Sequence, residues 1–191
     1  TRLPSSSAIP LAVRRAQDMF VLMFLLRGLP FVDLAYLRKS DLRDNVIIYR
    51  RRKTGRPLSV TLTPEALELL KKYMNRDSHS PYLFPLLKSG EGTKEAYREY
   101  QLALRSFNQQ LTLLGKVLGL NDRLSSYTAR HTWATTAYYC EIHPGIISEA
   151  MGHSSIKVTE TYLKPFRNKK IDEANNQIID FVKHSIAGVV A

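Results

Sequence analysis

Three side chains near the carboxyl end of the chain are suited to breaking a phosphodiester bond together. Arg130, His153 and Tyr162 follow one another in the segments TARHTWAT, MGHSS and ETYLK. A guanidinium binds a phosphate through two parallel hydrogen bonds and keeps its charge at any working pH. An imidazole donates to a phosphoryl oxygen or moves a proton near neutrality, and a phenol can form a covalent ester with phosphorus. These residue types predict strand cleavage by a protein hydroxyl.

Each of the three residues also has an ordinary structural interpretation. Tyr162 could be a packing residue on a short helix, since the chain has ten tyrosines. Arg130 could form a surface salt bridge, although an arginine within an apolar helix needs an anionic partner. His153 could hydrogen-bond the backbone of a turn in which Gly152 permits an unusual conformation. The occurrence of all three segments together favours the catalytic interpretation.

The elements that must position these residues are predicted to be mostly helical. Apolar residues fill 11–27, and Gly28 and Pro30 end that helix. The segment NVIIYRRRKTGRPLSVTLT predicts one β-hairpin with its turn at Thr54-Gly55. Further helices are predicted over 31–42, 64–74, 93–120 (as one or two helices), 127–141, within 143–152, within 154–164 and over 169–188. The predicted fold class is therefore mainly α with a small antiparallel β-sheet (α+β).

The chain is strongly basic. Lys and Arg total 28 against 17 Asp and Glu, which gives a net charge of +11. Such an excess favours a polyanionic partner, most simply nucleic acid, and the alternative is a basic domain without one. Hydrophobic residues form 44% of the 191 positions, enough for the core of one domain.

Several other classes of protein are disfavoured by the sequence. No apolar run approaches the ~18 residues of a membrane span, and no signal peptide is visible, so a cytoplasmic protein is expected. The single Cys140 excludes an internal disulfide and is expected to be buried in its apolar helical run. Five histidines match no short ligand motif, so neither a metal nor another cofactor is expected.

The order RHTWAT, GHSS and TYL resembles the catalytic domain of tyrosine recombinases of the phage integrase family, over roughly residues 12–180. The resemblance implies a DNA breaking-and-rejoining core in which Tyr162 is the nucleophile and forms a 3′-phosphotyrosine. Arg130 and His153 would hold the phosphate. Lys53, at the tip of the predicted hairpin, would protonate the leaving 5′ oxygen, and its alternative role is a plain electrostatic anchor. The arginines beside it are expected to hold DNA phosphates: Arg50, Arg51, Arg52 and Arg56.

One departure from the family pattern lies three residues before Arg130. Most members have a histidine there, whereas this chain has Tyr127. A tyrosine hydroxyl can hydrogen-bond a phosphate oxygen but cannot act as a base at neutral pH. Tyr127 is therefore either a phosphate ligand or a packing residue. His131 is nearby, but adjacent helical residues point about 100° apart, so it cannot occupy the place of the missing histidine.

The second departure from the family pattern is the absence of an arginine. Family members usually carry their first catalytic arginine directly after a Gly-Leu pair, where this chain has Pro30, although Asp33 fits the acid that follows. Arg27 is the nearest substitute, and Arg38 and the hairpin arginines are alternatives. The variant RGLPFVD resembles a Bacteroides-type subgroup of integrases.

The resemblance implies a site-specific recombinase or integrase of a mobile element, working as a homotetramer on double-stranded DNA in the bacterial cytoplasm, at the nucleoid. Two alternatives are a type IB topoisomerase-like enzyme and a DNA-binding module impaired in catalysis. Residues 1–10 are expected to be a linker, 11–183 the catalytic domain and 184–191 a tail. The helix over 170–183 is expected to dock on a neighbouring protomer. Because the chain starts with Thr, an N-terminal DNA-binding domain is expected to be absent from it.

Overall fold

The structure, a computed structural model, describes residues 9–162 and 168–187. Within these ranges it contains eight α-helices and a three-stranded antiparallel sheet, which confirms the predicted fold class. The helices are α1 (Leu11–Leu25), α2 (Phe31–Tyr36), α3 (Pro64–Tyr73), α4 (Lys94–Val117), α5 (Thr128–Tyr139), α6 (Pro144–Ala150), α7 (Ile156–Glu160) and α8 (Asn168–Ala187).

Helix α1 is the centre of the larger core and contacts α3, α4 and α5. Its apolar residues are buried on several sides of the helix, as its composition predicts. The helix ends two residues before the predicted boundary, because Arg27 and Gly28 both adopt positive φ angles of 59° and 68°. The N–H of Leu29 then donates to the carbonyl of Met23 at 3.0 Å, a usual way of closing a helix C-terminus.

The prediction of a helix over 31–42 is confirmed only for its first half. Helix α2 ends at Tyr36, and the chain continues in an extended segment that pairs with residues far along the sequence. The N–H of Leu83 donates to the carbonyl of Leu37 at 2.7 Å, and that of Lys39 donates to the carbonyl of Pro81 at 2.8 Å. These long-range hydrogen bonds outweigh the helical spacing of the apolar residues.

The sheet contains β1 (Leu42–Arg43), β2 (Val46–Arg50) and β3 (Pro57–Thr61), in the order β1-β2-β3. Strands β2 and β3 form the predicted hairpin, with Val46 opposite Thr61 and Arg50 opposite Pro57. Strand β1 was not predicted, because two residues are too few to show an alternating pattern. The hairpin tip, residues 51–56, extends towards the segment between α6 and α7, where the candidate site lies.

Helices α3 and α4 begin as the sequence predicts. The hydroxyls of Thr63 and Thr93 each accept a hydrogen bond from the N–H three residues on, at 3.3 Å and 3.1 Å. Such N-caps satisfy backbone donors that have no partner within the helix. The segment predicted as one or two helices is a single helix of 24 residues.

A second, smaller hydrophobic cluster carries part of the candidate site. It contains Ala134 of α5, Ile147 of α6, Met151 and Tyr162. Cys140, expected to be buried, is exposed. The reason is its position, since α5 ends at Tyr139 and Cys140 follows the last helical turn instead of facing the cluster.

Several predicted boundaries meet the limits of the described residues. Residues 1–8 of the predicted linker and 188–191 of the predicted tail lie outside them. Helix α8 continues to Ala187, so the helix extends four residues into the predicted tail. Large apolar side chains on α8 are exposed: Ile171, Ile178, Ile179 and Phe181. In the described parts of the chain, none of the helices has the length and apolarity that a membrane span requires.

Candidate active site

A cavity of about 300 Å³ brings together most of the residues singled out by the sequence. Its walls come from the start of α2, the hairpin tip, α4, the start of α5 and the segment between α6 and the end of α7. The charged, imidazole and phenol side chains along it are Arg51, Lys53, Tyr100, Tyr127, Arg130, His153 and Tyr162. Arg51 and Tyr162, 111 positions apart in the sequence, thus meet in one place.

Arg130 is held rigidly in the wall of the cavity. Only 4% of the residue is exposed, and its Nη1 and Nη2 atoms donate to the carbonyls of Gly28 (2.9 Å) and Met151 (2.8 Å). Burial is the main cause that lowers the pKa of this guanidinium, and nearby Arg51 lowers it further, whereas the hydroxyl of Tyr162 raises it. These effects place Arg130 beside both a second cation and the predicted nucleophile.

The close approach of Arg130 to the end of α1 requires glycine at position 28. A Cβ atom added to Gly28 would lie 2.8 Å from the Cα of Arg130, and its φ of +68° disfavours other residues. The turn between α1 and α2 therefore contributes directly to positioning the guanidinium.

His153 lies on the turn that follows α6, next to Gly152 with its φ of +63°. The Nδ1 atom is 2.8 Å from the hydroxyl of Thr159, and the buried Nε2 atom has no hydrogen-bond partner among the described residues. Burial, reinforced by the positive charges of Arg130, Arg51, Arg56 and Lys53, lowers the pKa of His153 to about 4. The imidazole is therefore neutral at pH 7.

Tyr162 stands one residue beyond the turn that ends α7. Its N–H donates to the carbonyl of Thr159 at 2.9 Å, so the same threonine contacts both His153 and the backbone of the nucleophile candidate. The rings of His153 and Tyr162 stack with centroids 5.4 Å apart and an angle of 12°. The phenol is 7% exposed, yet it lines the cavity instead of being enclosed by the core.

Tyr127 contacts the hydroxyl of Tyr162. The two hydroxyls share a hydrogen bond. Partial burial is the main cause that raises the pKa of Tyr127 to about 12, and this hydrogen bond is the second cause. Tyr127 therefore stays protonated near neutrality. His131 lies one helical turn further along α5, with its ring centroid 5.5 Å from that of Tyr162. Both side chains approach the same phenol from α5.

The hairpin tip is docked on the turn that carries His153. The hydroxyl of Thr54 donates to the carbonyl of Gly152 at 3.2 Å, and Arg56 donates to the carbonyl of Ser154 at 3.4 Å. Lys53 directly precedes Thr54 in sequence, is exposed, and lines the cavity. Its position agrees with a side chain that meets bound substrate from the open side.

Arg50 and Arg52, like Arg56, are not among the residues that line the cavity. Arg52 stacks on the ring of Tyr36 at 3.8 Å and forms an ion pair with Glu91. Arg50 donates to the carbonyl of Gly55 at 3.1 Å. Both are exposed, so the predicted contacts with DNA phosphates stay predictions for them.

Of the two arginines Arg27 and Arg51, only Arg51 is among the residues that line the cavity. Arg27 is not among the lining residues, and its Nη1 donates to the carbonyl of Ser59 at 3.2 Å. Arg51, predicted to hold a DNA phosphate and, with the other hairpin arginines, an alternative to Arg27, lines the cavity and is 6% exposed. The alternation of Ile47, Tyr49 and Arg51, all buried on one face of the hairpin, is the signal that could have identified it.

No group of three or more His, Cys, Asp or Glu side chains within 9–162 and 168–187 is arranged to hold a metal ion.

Comparison with known proteins identifies the family. The sequence model of the Phage integrase family matches residues 10–169. Tyrosine recombinase XerA of Thermococcus onnurineus is 29% identical over 161 residues, which cover 83% of this chain and 54% of that protein. Tyrosine recombinase XerC of Neisseria gonorrhoeae is 27% identical over 163 residues, which cover 85% of this chain and 50% of that protein. The chain thus spans about half the length of these curated relatives.

A solved structure shows the same fold. The Tn1549 transposon integrase, in complex with transposon right end DNA, superimposes with a TM-score of 0.62 at 16% identity, over 87% of this chain and 59% of that one. At such low identity the likeness establishes the fold alone. Together with the match over residues 10–169, it shows that the chain belongs to the phage integrase family.

Proposed function

We propose that this chain carries the catalytic centre of a site-specific DNA recombinase or integrase, which cuts and rejoins double-stranded DNA through a 3′-phosphotyrosine. The observation that carries the proposal is the meeting of Tyr162, Arg130 and His153 in one cavity. Relatives named as tyrosine recombinases, and an integrase structure that contains transposon end DNA, support it.

In the proposed cleavage step the Tyr162 oxygen attacks the scissile phosphorus. The new O–P bond forms as the bond from phosphorus to the 5′ oxygen breaks, and the phenol proton is released to solvent. Lys53 supplies a proton to the departing 5′ oxygen, so the products are a 3′-phosphotyrosine and a 5′ hydroxyl. A second DNA 5′ hydroxyl reverses the step on another strand. The ester keeps the energy of the broken bond, so rejoining needs no nucleotide cofactor.

Arg130 stabilises the charge that develops on the phosphate. A guanidinium has five N–H donors, and Arg130 uses two of its nitrogens to anchor itself to backbone carbonyls. Its other donors are left for the non-bridging oxygens. Because the anchors fix the group before DNA arrives, little reorganisation is needed in the transition state.

His153 acts in this proposal as a neutral hydrogen-bond donor. When the hydroxyl of Thr159 donates to Nδ1, the ring carries its proton on Nε2, the buried atom without a partner among the described residues. A phosphate oxygen in the cavity would satisfy that atom. In the DNA-free protein the pKa of about 4 keeps the ring neutral at pH 7, so it meets the phosphate in this form.

Tyr127 contributes by orienting the nucleophile. Its hydroxyl stays protonated because its pKa is raised to about 12, which leaves it unable to accept the proton of Tyr162 as a neutral-pH base. The hydrogen bond it shares with Tyr162 instead fixes the phenol oxygen in the cavity wall.

The proposal also covers the oligomeric state, the domain organisation and the cellular location. Four protomers would act on two duplexes at the bacterial nucleoid, with 11–183 as the catalytic domain and an N-terminal DNA-binding domain outside this chain. The exposed apolar side chains of α8 support docking of 170–183 on a neighbouring protomer. Arg50, Arg52 and Arg56 would hold DNA phosphates. The RGLPFVD segment supports a Bacteroides-type integrase of a mobile element.

A nicked DNA that traps the covalent intermediate tests the proposal. The full-length protein is incubated with the end sequence of its own mobile element, nicked close to the cut site so that the short 5′ fragment diffuses away. The expected result is a covalent protein–DNA adduct for the wild type and none for Tyr162→Phe. An adduct that persists in Tyr162→Phe would refute the assignment of the nucleophile.

Two further assays separate the alternatives. Recombination between two sites, without relaxation of supercoils at a single site, is expected for a recombinase. Relaxation alone would favour a topoisomerase-like enzyme, and DNA binding without any adduct would favour an impaired binding module.

A further inference from the structure

We propose that Arg51 is a catalytic arginine that binds the scissile phosphate in place of the arginine missing at Pro30. This inference rests on the proposed function, because it concerns the same phosphate. It assigns to a buried residue at the base of the hairpin tip a role that its neighbours Arg50 and Arg52 do not share.

The position of the missing arginine does face the site. Pro30 lines the cavity together with Arg130 and Tyr162. Proline carries no charge and no side-chain donor, so the first catalytic cation cannot come from this position. A pentacoordinate phosphorus with two charged oxygens needs more than one fixed cation around it. The cavity must therefore obtain its second guanidinium from another element.

Arg51 reaches the cavity from the hairpin tip. Its Nη1 donates to the carbonyl of Met151, and Nη2 of Arg130 donates to the same oxygen. Two guanidinium groups that share one acceptor atom must lie side by side. The lowering effect of Arg51 on the pKa of Arg130 has the same origin, the short distance between two positive charges.

Asp33 holds Arg51 in this orientation. The Nε atom of Arg51 is 2.7 Å from Oδ2 of Asp33, and the other carboxylate oxygen accepts from the N–H of Arg52 at 2.9 Å. Asp33 is thus a positioning residue. With Arg51 in an ion pair with Asp33 and its Nη1 bonded to Met151, the Nη2 end of the guanidinium is left for an oxygen in the cavity.

The charge of the cavity wall points to an anion as its ligand. Among the described residues that line it, three carry a positive charge, Arg51, Lys53 and Arg130, and none carries a carboxylate. Asp33 lies behind Arg51 and neutralises only one of these charges. Two buried guanidinium groups side by side repel each other, so a bound phosphate stabilises the pair.

The turn carrying His153 is shaped to admit Arg51. A Cβ atom added to Gly152 would lie 3.0 Å from Cγ of Arg51, and the φ of Gly152 is +63°. The side chain therefore passes directly against the backbone of this turn. The same glycine thus places His153 and makes room for Arg51.

The other arginines considered for this role have different partners. Arg27 donates to Ser59, and Arg38 and Arg52 both form ion pairs with Glu91. Each of these side chains is at least partly exposed. Arg51 therefore fits the role best.

A charge-neutral substrate tests the role of Arg51 directly. Replacing one non-bridging oxygen of the scissile phosphate with a methyl group removes the negative charge that a catalytic cation stabilises. Single-turnover adduct formation by the full-length protein is measured on the ordinary and the methylphosphonate DNA. On ordinary DNA, Arg51→Ala is expected to be roughly 100-fold slower than wild type or worse, as for other lost transition-state donors. On methylphosphonate DNA the difference should shrink to less than about tenfold, because less charge remains to be stabilised.

Matched variants complete the experiment. Arg43→Ala removes the same charge from an exposed position of the same sheet and should stay within about twofold of wild type on both substrates. Arg27→Ala tests the competing assignment. If Arg51→Ala fails to fold, Arg51→Gln with Asp33→Asn removes both charges of the pair, leaves no buried carboxylate unpaired, and should show the same substrate dependence.

The outcomes separate this inference from the proposed function. An equal loss on both substrates for the Arg51 variants, a wild-type rate for them, or the charge-dependent loss appearing in Arg27→Ala would overturn the role of Arg51. Absence of a Tyr162-dependent adduct in the wild-type protein on either substrate would instead overturn the proposed function.

Discussion

Tyr127 and Tyr162 share a hydrogen bond between their side-chain hydroxyls, although 35 positions separate them in the chain. Tyr127 lies at the start of α5 and Tyr162 just after α7, so the bond connects the segment that carries Arg130 with the segment that carries the candidate nucleophile. A tyrosine thereby contacts the candidate nucleophile from the position where most family members have a histidine.

Replacing Tyr127 with Phe should slow adduct formation only modestly. The variant loses one hydrogen bond, which corresponds to about a 2–10-fold lower single-turnover rate. Because the pKa of Tyr127 is raised to about 12, the pH profile between 6 and 9 should keep its shape. The measurement is the rate of adduct formation on saturating nicked DNA across this pH range. A loss as complete as that of Tyr162→Phe would show that Tyr127 takes part in the chemistry itself.

Replacing Arg130 with Ala should separate catalysis from binding. Adduct formation is expected to fall by at least about 100-fold, because a transition-state donor is lost. DNA affinity should fall less than about tenfold at moderate salt, since many other cations share the binding. Gel-shift titration and the adduct assay measure the two quantities on the same protein. Arg130→Lys is the control that keeps the charge, and equal losses of binding and cleavage in Arg130→Ala would contradict the expectation.

His153 should make the stability of the DNA-free protein depend on pH. Its pKa is about 4 when folded and ordinarily about 6.5, so the unfolded chain binds a proton that the folded chain does not. The contribution is fully present above pH 6.5 and is lost as the pH falls towards 4, by up to about 3 kcal/mol. The free energy of unfolding at pH 7 and pH 4.5 should differ less in His153→Asn than in wild type. An identical difference in both proteins would contradict the burial of a neutral imidazole.

Gly28→Ala should destabilise the protein more than Gly55→Ala. Both glycines have positive φ angles, 68° and 69°, so both substitutions incur roughly 1–2 kcal/mol of backbone strain. Only at Gly28 does the new Cβ clash, lying 2.8 Å from the Cα of Arg130, whereas nothing lies within 4 Å at Gly55. Denaturant unfolding should show an additional loss of about 1–3 kcal/mol for Gly28→Ala. Equal losses would mean that the turn can move away from α5 without cost.

The sequence was informative about the elements and about the chemistry of single residues. Helix α1, the hairpin and the N-caps of α3 and α4 follow from short-range periodicity and turn residues. Other features were predicted wrongly. Leu37 is extended because its carbonyl pairs with Leu83, and Cys140 is exposed because α5 ends just before it. In both cases the outcome depends on contacts or helix ends that the local pattern does not contain.

The residues of the candidate site likewise fall into those that the sequence identifies and those that it does not. Arg130, His153 and Tyr162 could be identified because their segments form a recognisable order along the chain. The hairpin arginine that lines the cavity could not, because Arg50, Arg51 and Arg52 are chemically identical neighbours. Arg27, close to Pro30 in sequence, adopts a left-handed backbone conformation and contacts Ser59 instead of the cavity.

By itself, then, the sequence determined the basic character of the chain, its helices and hairpin, and the residue types available for attack on a phosphate. Only the tertiary structure decided which cations line the cavity. The reason is physical: helical and strand periodicity depends on neighbours a few positions apart, whereas the orientation of Arg51 depends on Asp33, 18 positions before it, and Met151, 100 positions after it. The position of a buried charge is determined by its partners, and only folding brings these partners together.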